Sequence, residues 1–128
     1  MPLENILLMS CRSPYLDSDK VYPPLGLLYL KSAINKELPN VNIDLCDDYK
    51  LVDIDRFRPY DAIGVSIMTP QRQEAHLILS TIKLNFPKKI VIAGGPHALH
   101  YAKELESERW DYIVQRDGQR SLAKIIRG

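Results

Sequence analysis

The feature that most constrains this chain is a set of short apolar runs, spaced regularly between amphipathic stretches. Ile6-Leu7-Leu8-Met9, Ala62-Ile63-Gly64-Val65-Ser66-Ile67 and Ile90-Val91-Ile92-Ala93 are brief and apolar at successive positions, and the last two are rich in β-branched residues. Such runs fit strands covered on both faces, as in a parallel sheet sandwiched between helices. Val41-Asn42-Ile43-Asp44-Leu45 alternates instead, as an edge strand with one exposed face does, and Tyr112-Ile113-Val114 supplies a short fifth strand.

The intervening stretches carry helical patterns. Leu25 to Glu37 places Leu28, Leu30, Ala33, Ile34 and Leu38 near one face, behind Pro24 in the favoured first turn. Thr69-Pro70 reads as an N-cap and first helical position; the helix it opens carries Ala75, Ile78, Leu79, Ile82 and Phe86 on one stripe and stops before Pro87. Ala98 to Glu106 and Ser121 to Ile126 are later helices, and Leu51 to Phe57 is a weaker one. Strands alternating with helices at these loop lengths predict a three-layer α/β/α sandwich over residues 1–128, around a five-stranded parallel sheet. The expected strand order is 2-1-3-4-5, the flavodoxin-like (Rossmann-like) winding.

Composition narrows the partners. The chain has 128 residues, enough for one domain. Seventeen Lys and Arg against sixteen Asp and Glu leave a net charge of +1, so the basic excess of a nucleic-acid binder is missing. The longest apolar run, Leu25 to Leu30, is far shorter than a membrane span. Cys11 and Cys46 make neither a disulfide framework nor a zinc set, which fits a reducing cytoplasm. Leu8-Met9-Ser10-Cys11 faintly resembles a lipoprotein cleavage site, but Glu4 and the short run before it argue against export.

Open parallel sheets bind ligands outside the carboxyl ends of their strands. Those ends are Ser10 to Tyr15, Cys46 to Asp48, Ser66 to Pro70, Gly94 to His97 and Gln115 to Gly118. Four of the six glycines, Gly26, Gly94, Gly95 and Gly118, flank them, where a backbone can approach a ligand closely. Several ligand classes drop out. The turn Ser10-Cys11-Arg12-Ser13-Pro14 has no glycine, against dinucleotide or P-loop binding. Ser66 rather than Asp ends the third strand, against phosphoacceptor chemistry. No Ser/His/Asp set or carboxylate pair can be assigned to a common site.

Three segments together resemble a known family. Tyr22-Pro23-Pro24-Leu25-Gly26-Leu27-Leu28-Tyr29-Leu30, Ile63-Gly64-Val65-Ser66-Ile67-Met68-Thr69 and Gly94-Gly95-Pro96-His97-Ala98 look like the cobalamin-binding domain that precedes the catalytic barrel in cobalamin-dependent radical S-adenosylmethionine enzymes. The resemblance runs over essentially the whole chain. It implies that Ser66, Ile67, Met68, Thr69 and Pro70 after strand three, and Gly94, Gly95, Pro96 and His97 after strand four, contact the cofactor. The Ser66 hydroxyl would bond the nucleotide tail, and the glycines would leave a slot for its dimethylbenzimidazole. His97 would either meet the tail phosphate or a ribose hydroxyl, or simply begin a helix. Met68 would pack, without ligating cobalt, against the lower face of the corrin.

Departures from the family pattern matter as much. Classical corrinoid domains carry Asp-x-His-x-x-Gly after strand one, and the loop from Ser10 to Tyr22 holds no His. Cobalamin is therefore expected with its benzimidazole off cobalt and no histidine from that loop. After strand five, Arg116-Asp117-Gly118-Gln119 keeps Asp117 and Gly118 of a Gly-acidic-Gly-Glu pattern. The Cys-x-x-x-Cys-x-x-Cys triad for a 4Fe–4S cluster is absent. The resemblance thus assigns the iron–sulfur cluster and S-adenosylmethionine to a separate downstream domain, and makes this chain the cobalamin-binding half of a methyltransferase-like enzyme. Its expected partner is a radical barrel in cis, or another protein, over the open face. A flavodoxin-like interaction domain that no longer binds cobalamin is the alternative, and a flavin or small-nucleotide binder a third.

Overall fold

The computed structural model describes residues 3–11, 25–46, 53–68, 71–115 and 118–128. Five strands, β1 (Asn5–Ser10), β2 (Asn42–Cys46), β3 (Ala62–Ser66), β4 (Ile90–Gly94) and β5 (Tyr112–Ile113), form one sheet in the order β2-β1-β3-β4-β5. Every pairing is parallel. Helices α1 (Leu25–Glu37) and α5 (Gly118–Arg127) pack on one face; α2 (Arg72–Asn85), with α3 (Pro96–His100) and α4 (Ala102–Glu106), packs on the other. This is the expected three-layer sandwich and strand order.

The two faces follow from the period-2 alternation of each strand. Leu7, Met9 and Cys11, Ile63, Val65 and Ile67, and Val91 and Ala93 point toward α2, with Ala75, Ile78, Leu79 and Ile82 of that helix opposite them. Ile6 and Leu8, Ala62, and Ile92 point the other way, toward Ile34 of α1 and Leu122, Ala123 and Ile126 of α5. No helix among the described residues is long and apolar enough to cross a membrane.

Some local expectations are corrected. Leu28 is exposed; α1 instead turns Leu27, Leu30, Ile34 and the following Leu38 toward the sheet. Those four recur at spacings of three and four residues, whereas Leu28 lies about 100° further round the helix than Leu27. The helix expected over Ala98 to Glu106 is two short helices, broken at Tyr101, whose φ of −130° is not helical. The α5 helix starts at Gly118, earlier than expected. Of the weak Leu51–Phe57 helix, residues 51–52 lie outside the described residues and Ile54–Phe57 form a single 3-10 turn. The predicted capping pair Thr69-Pro70 lies outside the described residues; α2 is preceded by Gln71.

The amino-terminal edge of the sheet is laced by carboxylates. Asp61 Oδ2 accepts the backbone N–H groups of Glu4 and Asn5, both at 3.0 Å. Asp111 Oδ2 accepts Val91 N–H at 2.8 Å and pairs with Lys83 Nζ at 2.6 Å. The carboxyl-terminal edge is built of different material.

Candidate cofactor-binding site

Along the α1/α5 face, each central strand ends in a small residue at its carboxyl end. The series are Ile6, Leu8, Ser10 in β1; Ala62, Gly64, Ser66 in β3; and Ile90, Ile92, Gly94 in β4. Parallel register sets these residues abreast. Leu8, Gly64 and Ile92 form one row, and Ser10, Ser66 and Gly94 form the next. Small residues at the strand ends cannot fill the space beneath α1 and α5, so a cavity of about 370 Å³ remains. Its floor is made by those two rows. Gly26, Leu27 and Leu30 of α1, Gly118 and Leu122 of α5, and Val114 close the sides.

The glycines shape this space in different ways. A Cβ on Gly64 would stand 2.8 Å from Leu8 Cδ2, so the bare backbone is what lets Leu8 lie across the neighbouring strand. A Cβ on Gly94 would meet nothing within 4 Å, and a side chain there would grow into open space. Gly95 has φ +90°, and a Cβ on it would lie 2.7 Å from Ile67 N and 2.9 Å from Ser66 Oγ. Only glycine tolerates both the backbone angle and the approach.

That approach joins two loops. Ile67 N–H donates to Gly94 O, and His97 N–H donates to Ile67 O, both at 2.9 Å. Gln71, buried, ties in a third. Its Oε1 accepts Met68 N–H at 3.0 Å and its Nε2 donates to Cys11 O at 2.9 Å. The ends of β1, β3 and β4 are thus held together before any ligand arrives.

The sequence-predicted site residues therefore divide. Ser66, Gly94, Gly95 and Gly118 line the cavity. Ile67 is buried on the opposite face, and Met68 is 55% exposed beyond the strand end. The His97 side chain is fully buried; it stacks on Tyr101 with ring centroids 5.1 Å apart and has Nε2 3.8 Å from Glu104 Oε2. It does not line the cavity. Pro96 opens α3 behind Gly95. Thr69, Pro70 and Asp117 lie outside the described residues, as does the loop 12–24. Sequence reasoning missed Gly64, Leu8, Ile92, Leu27, Leu30, Val114, Leu122 and the brace Gln71. A glycine inside a buried strand run was the available sign of close approach at Gly64.

Other chemistry is set aside by the same geometry. Cys11 and Cys46 are both buried and neither is in a disulfide. Burial, with the Glu74 carboxylate adding to it, pushes the Cys11 thiol up to about 12, so it stays protonated and unreactive at neutral pH. A Ser/His/Glu cluster that the sequence reading did not single out does occur. On the outer side of α2, His76 Nδ1 lies 3.0 Å from Glu108 Oε2 and Nε2 lies 3.5 Å from Ser80 Oγ. Ser80 sits mid-helix, where backbone N–H groups are spent on the helix ladder and none faces an oxyanion. Glu108 also accepts Trp110 Nε1–H at 2.9 Å, so the cluster fastens α2 to the segment after α4.

A parallel α/β sandwich with a pre-shaped apolar slot at the carboxyl ends of β1, β3 and β4 defines a cofactor-binding domain. The chain belongs to the B12 binding domain family, whose profile matches residues 16–126. It is also 30% identical, over 112 residues, to an uncharacterized methyltransferase of Pyrococcus horikoshii. That match takes in 81% of this chain and 24% of the relative, so the chain spans about a quarter of the relative's length.

Proposed function

We propose that this chain holds cobalamin with its nucleotide tail in the slot beneath α1 and α5 and its corrin across the carboxyl ends of the sheet. The observation that carries the reading is the cavity itself: about 370 Å³, apolar in its sides, opened by small residues at its mouth, and lying at the strand ends of a B12-binding fold. That volume is near the small end of ligand sites, roughly 300–1,000 Å³, suited to a tail and too small for a corrin. The residues fit the group. The Ser66 hydroxyl bonds the tail, Gly94 leaves room for its base, and Gly95 lets the two loops close behind it. Met68, exposed at the rim, packs against the lower corrin face.

The slot would hold the tail's base away from the corrin, and the sequence from Ser10 to Tyr22 supplies no histidine. Among the described residues, none of those lining the cavity is a histidine. When bound, cobalamin supplies cobalt-centred methyl-transfer chemistry. This chain's residues bind and orient it from below, and leave the upper face to a partner. The finer reading places the chain as the cobalamin half of a radical S-adenosylmethionine methyltransferase, with the iron–sulfur cluster in another domain, working in the cytoplasm. The relative described as a methyltransferase supports the methyltransferase part of that reading.

The test is direct. Purified chain mixed with hydroxocobalamin and desalted is expected to retain the corrin absorption bands, and Ser66→Leu, which fills the slot mouth, is expected to lose them. A colourless wild-type protein would sink the reading and favour an interaction domain.

A further inference from the structure

The slot's lining carries information about the tail it accepts, beyond the presence of a tail. We propose that it selects corrinoids whose tail ends in an apolar bicyclic base of the benzimidazole type, and discriminates against those ending in a purine. This inference rests on the reading of the slot as a tail site.

The argument is one of polar supply. The side walls carry hydrocarbon: Leu27 and Leu30 from α1, Val114 after β5 and Leu122 from α5. Among the described residues, the only polar side chains in the lining are the hydroxyls of Ser10 and Ser66. Both stand in the last row of the sheet, at the mouth; one row deeper come Leu8, Gly64 and Ile92. The backbone groups of that deeper row are engaged by the parallel ladder. A dimethylbenzimidazole presents a hydrocarbon edge to this interior. An adenine presents an exocyclic amine and additional ring nitrogens, which would leave water with no side-chain partner in that deeper row among the described residues. The mouth hydroxyls are placed for the sugar and phosphate, not for the far edge of the base.

Cobalt chemistry works against the preference, which makes its detection informative. Benzimidazole is the more basic ligand and is harder to displace from cobalt than adenine. A preference for the benzimidazole corrinoid must therefore come from the slot.

The experiment is equilibrium dialysis of the purified chain against three probes, followed by their corrin absorption: cobalamin, its adenine-tailed analogue, and tail-less cobinamide. Cobalamin is expected to bind at least about tenfold more tightly than the adenine analogue, with cobinamide also weaker than cobalamin. Equal affinity for the two tailed forms, or a preference for adenine, with cobinamide still weaker, overturns the selectivity and leaves the tail site standing. Equal affinity for cobinamide and cobalamin overturns the tail site and the selectivity together. Retention of none of the three overturns the cobalamin reading itself.

Discussion

The two faces of this sheet are made from the same strands and end differently. Toward α2, β1 continues through Leu7, Met9 and Cys11, and β3 through Ile63, Val65 and Ile67, with buried side chains to the very end. Toward α1 and α5 the same strands pass from Ile6 and Leu8 to Ser10, and from Ala62 and Gly64 to Ser66. One face is a core throughout. The other is a core for its amino-terminal half and a container for the rest. The difference teaches that a binding site in such a domain can be made by subtraction: strands, helices and register are kept, and side-chain volume is removed at one end of one face.

The largest effect expected from this comparison is on stability. Ile82, fully buried on α2, meets the filled face; Leu122 on α5 meets the hollow one. Ile82→Ala should cost about 4 kcal/mol and Leu122→Ala only about 2 kcal/mol, because a truncation beside existing space forfeits fewer contacts. Urea unfolding of both variants checks this. Equal costs would mean that the space under α5 is not open in solution. With saturating cobalamin the two costs should converge, since the tail then supplies the contacts that Leu122 loses.

Gly94→Val separates binding from folding. Its Cβ meets nothing within 4 Å, and valine suits a strand, so the free protein should change by less than about 1 kcal/mol. The isopropyl group enters the space offered to the base, and cobalamin affinity should fall by at least about tenfold. Unchanged affinity in a well-folded variant would place the tail elsewhere. Gly95→Ala probes a different fault. Its positive φ and the nearby Ile67 backbone make it costly to folding and binding alike, so it cannot stand in for Gly94.

Much of this was legible in the sequence because patterning carries it. Short continuous apolar runs, with alternation in the edge strand, located the strands, helical apolar spacing located α1 and α2, and glycine at strand ends located the rim of the site. What stayed hidden depends on pairing across strands. A glycine within Ala62–Ser66 signals a close approach, but that Gly64 lies between Leu8 and Ile92 is a fact of register. His97 shows the reverse: adjacency to Gly94-Gly95-Pro96 made it a contact candidate. Its backbone N–H is spent on Ile67 O, however, and its imidazole has already turned onto Tyr101 in the filled layer. Position beside a motif does not fix the face a side chain takes.

Met68 offers a smaller effect that tests the rim rather than the slot. Being largely exposed, Met68→Ala should leave stability within about 0.5 kcal/mol. Lost packing beneath the corrin should weaken cobalamin by about threefold while leaving the ranking of tailed corrinoids unchanged. A changed ranking would mean that Met68 reaches the base.

The last effect lies on the filled face and appears only in alkali. Burial holds the Cys11 thiol protonated to about 12, whereas an unfolded cysteine titrates near its ordinary value of 9.0. Between those values the unfolded chain binds fewer protons than the native one, so stability must fall as pH rises. The contribution is fully present below pH 9 and is lost progressively toward pH 12. Tyr60 adds to the same limb at its upper end. Burial, and donation of its hydroxyl to Asp44 Oδ2 at 2.6 Å, push it up to about 12. Cys11→Ala should therefore flatten the decline of unfolding free energy between about pH 9 and 10, before Tyr60 matters, when urea midpoints are compared at fixed ionic strength. An identical slope in the variant would mean that the thiol is open to solvent and that the face toward α2 is less completely filled than the face toward α5 is hollow.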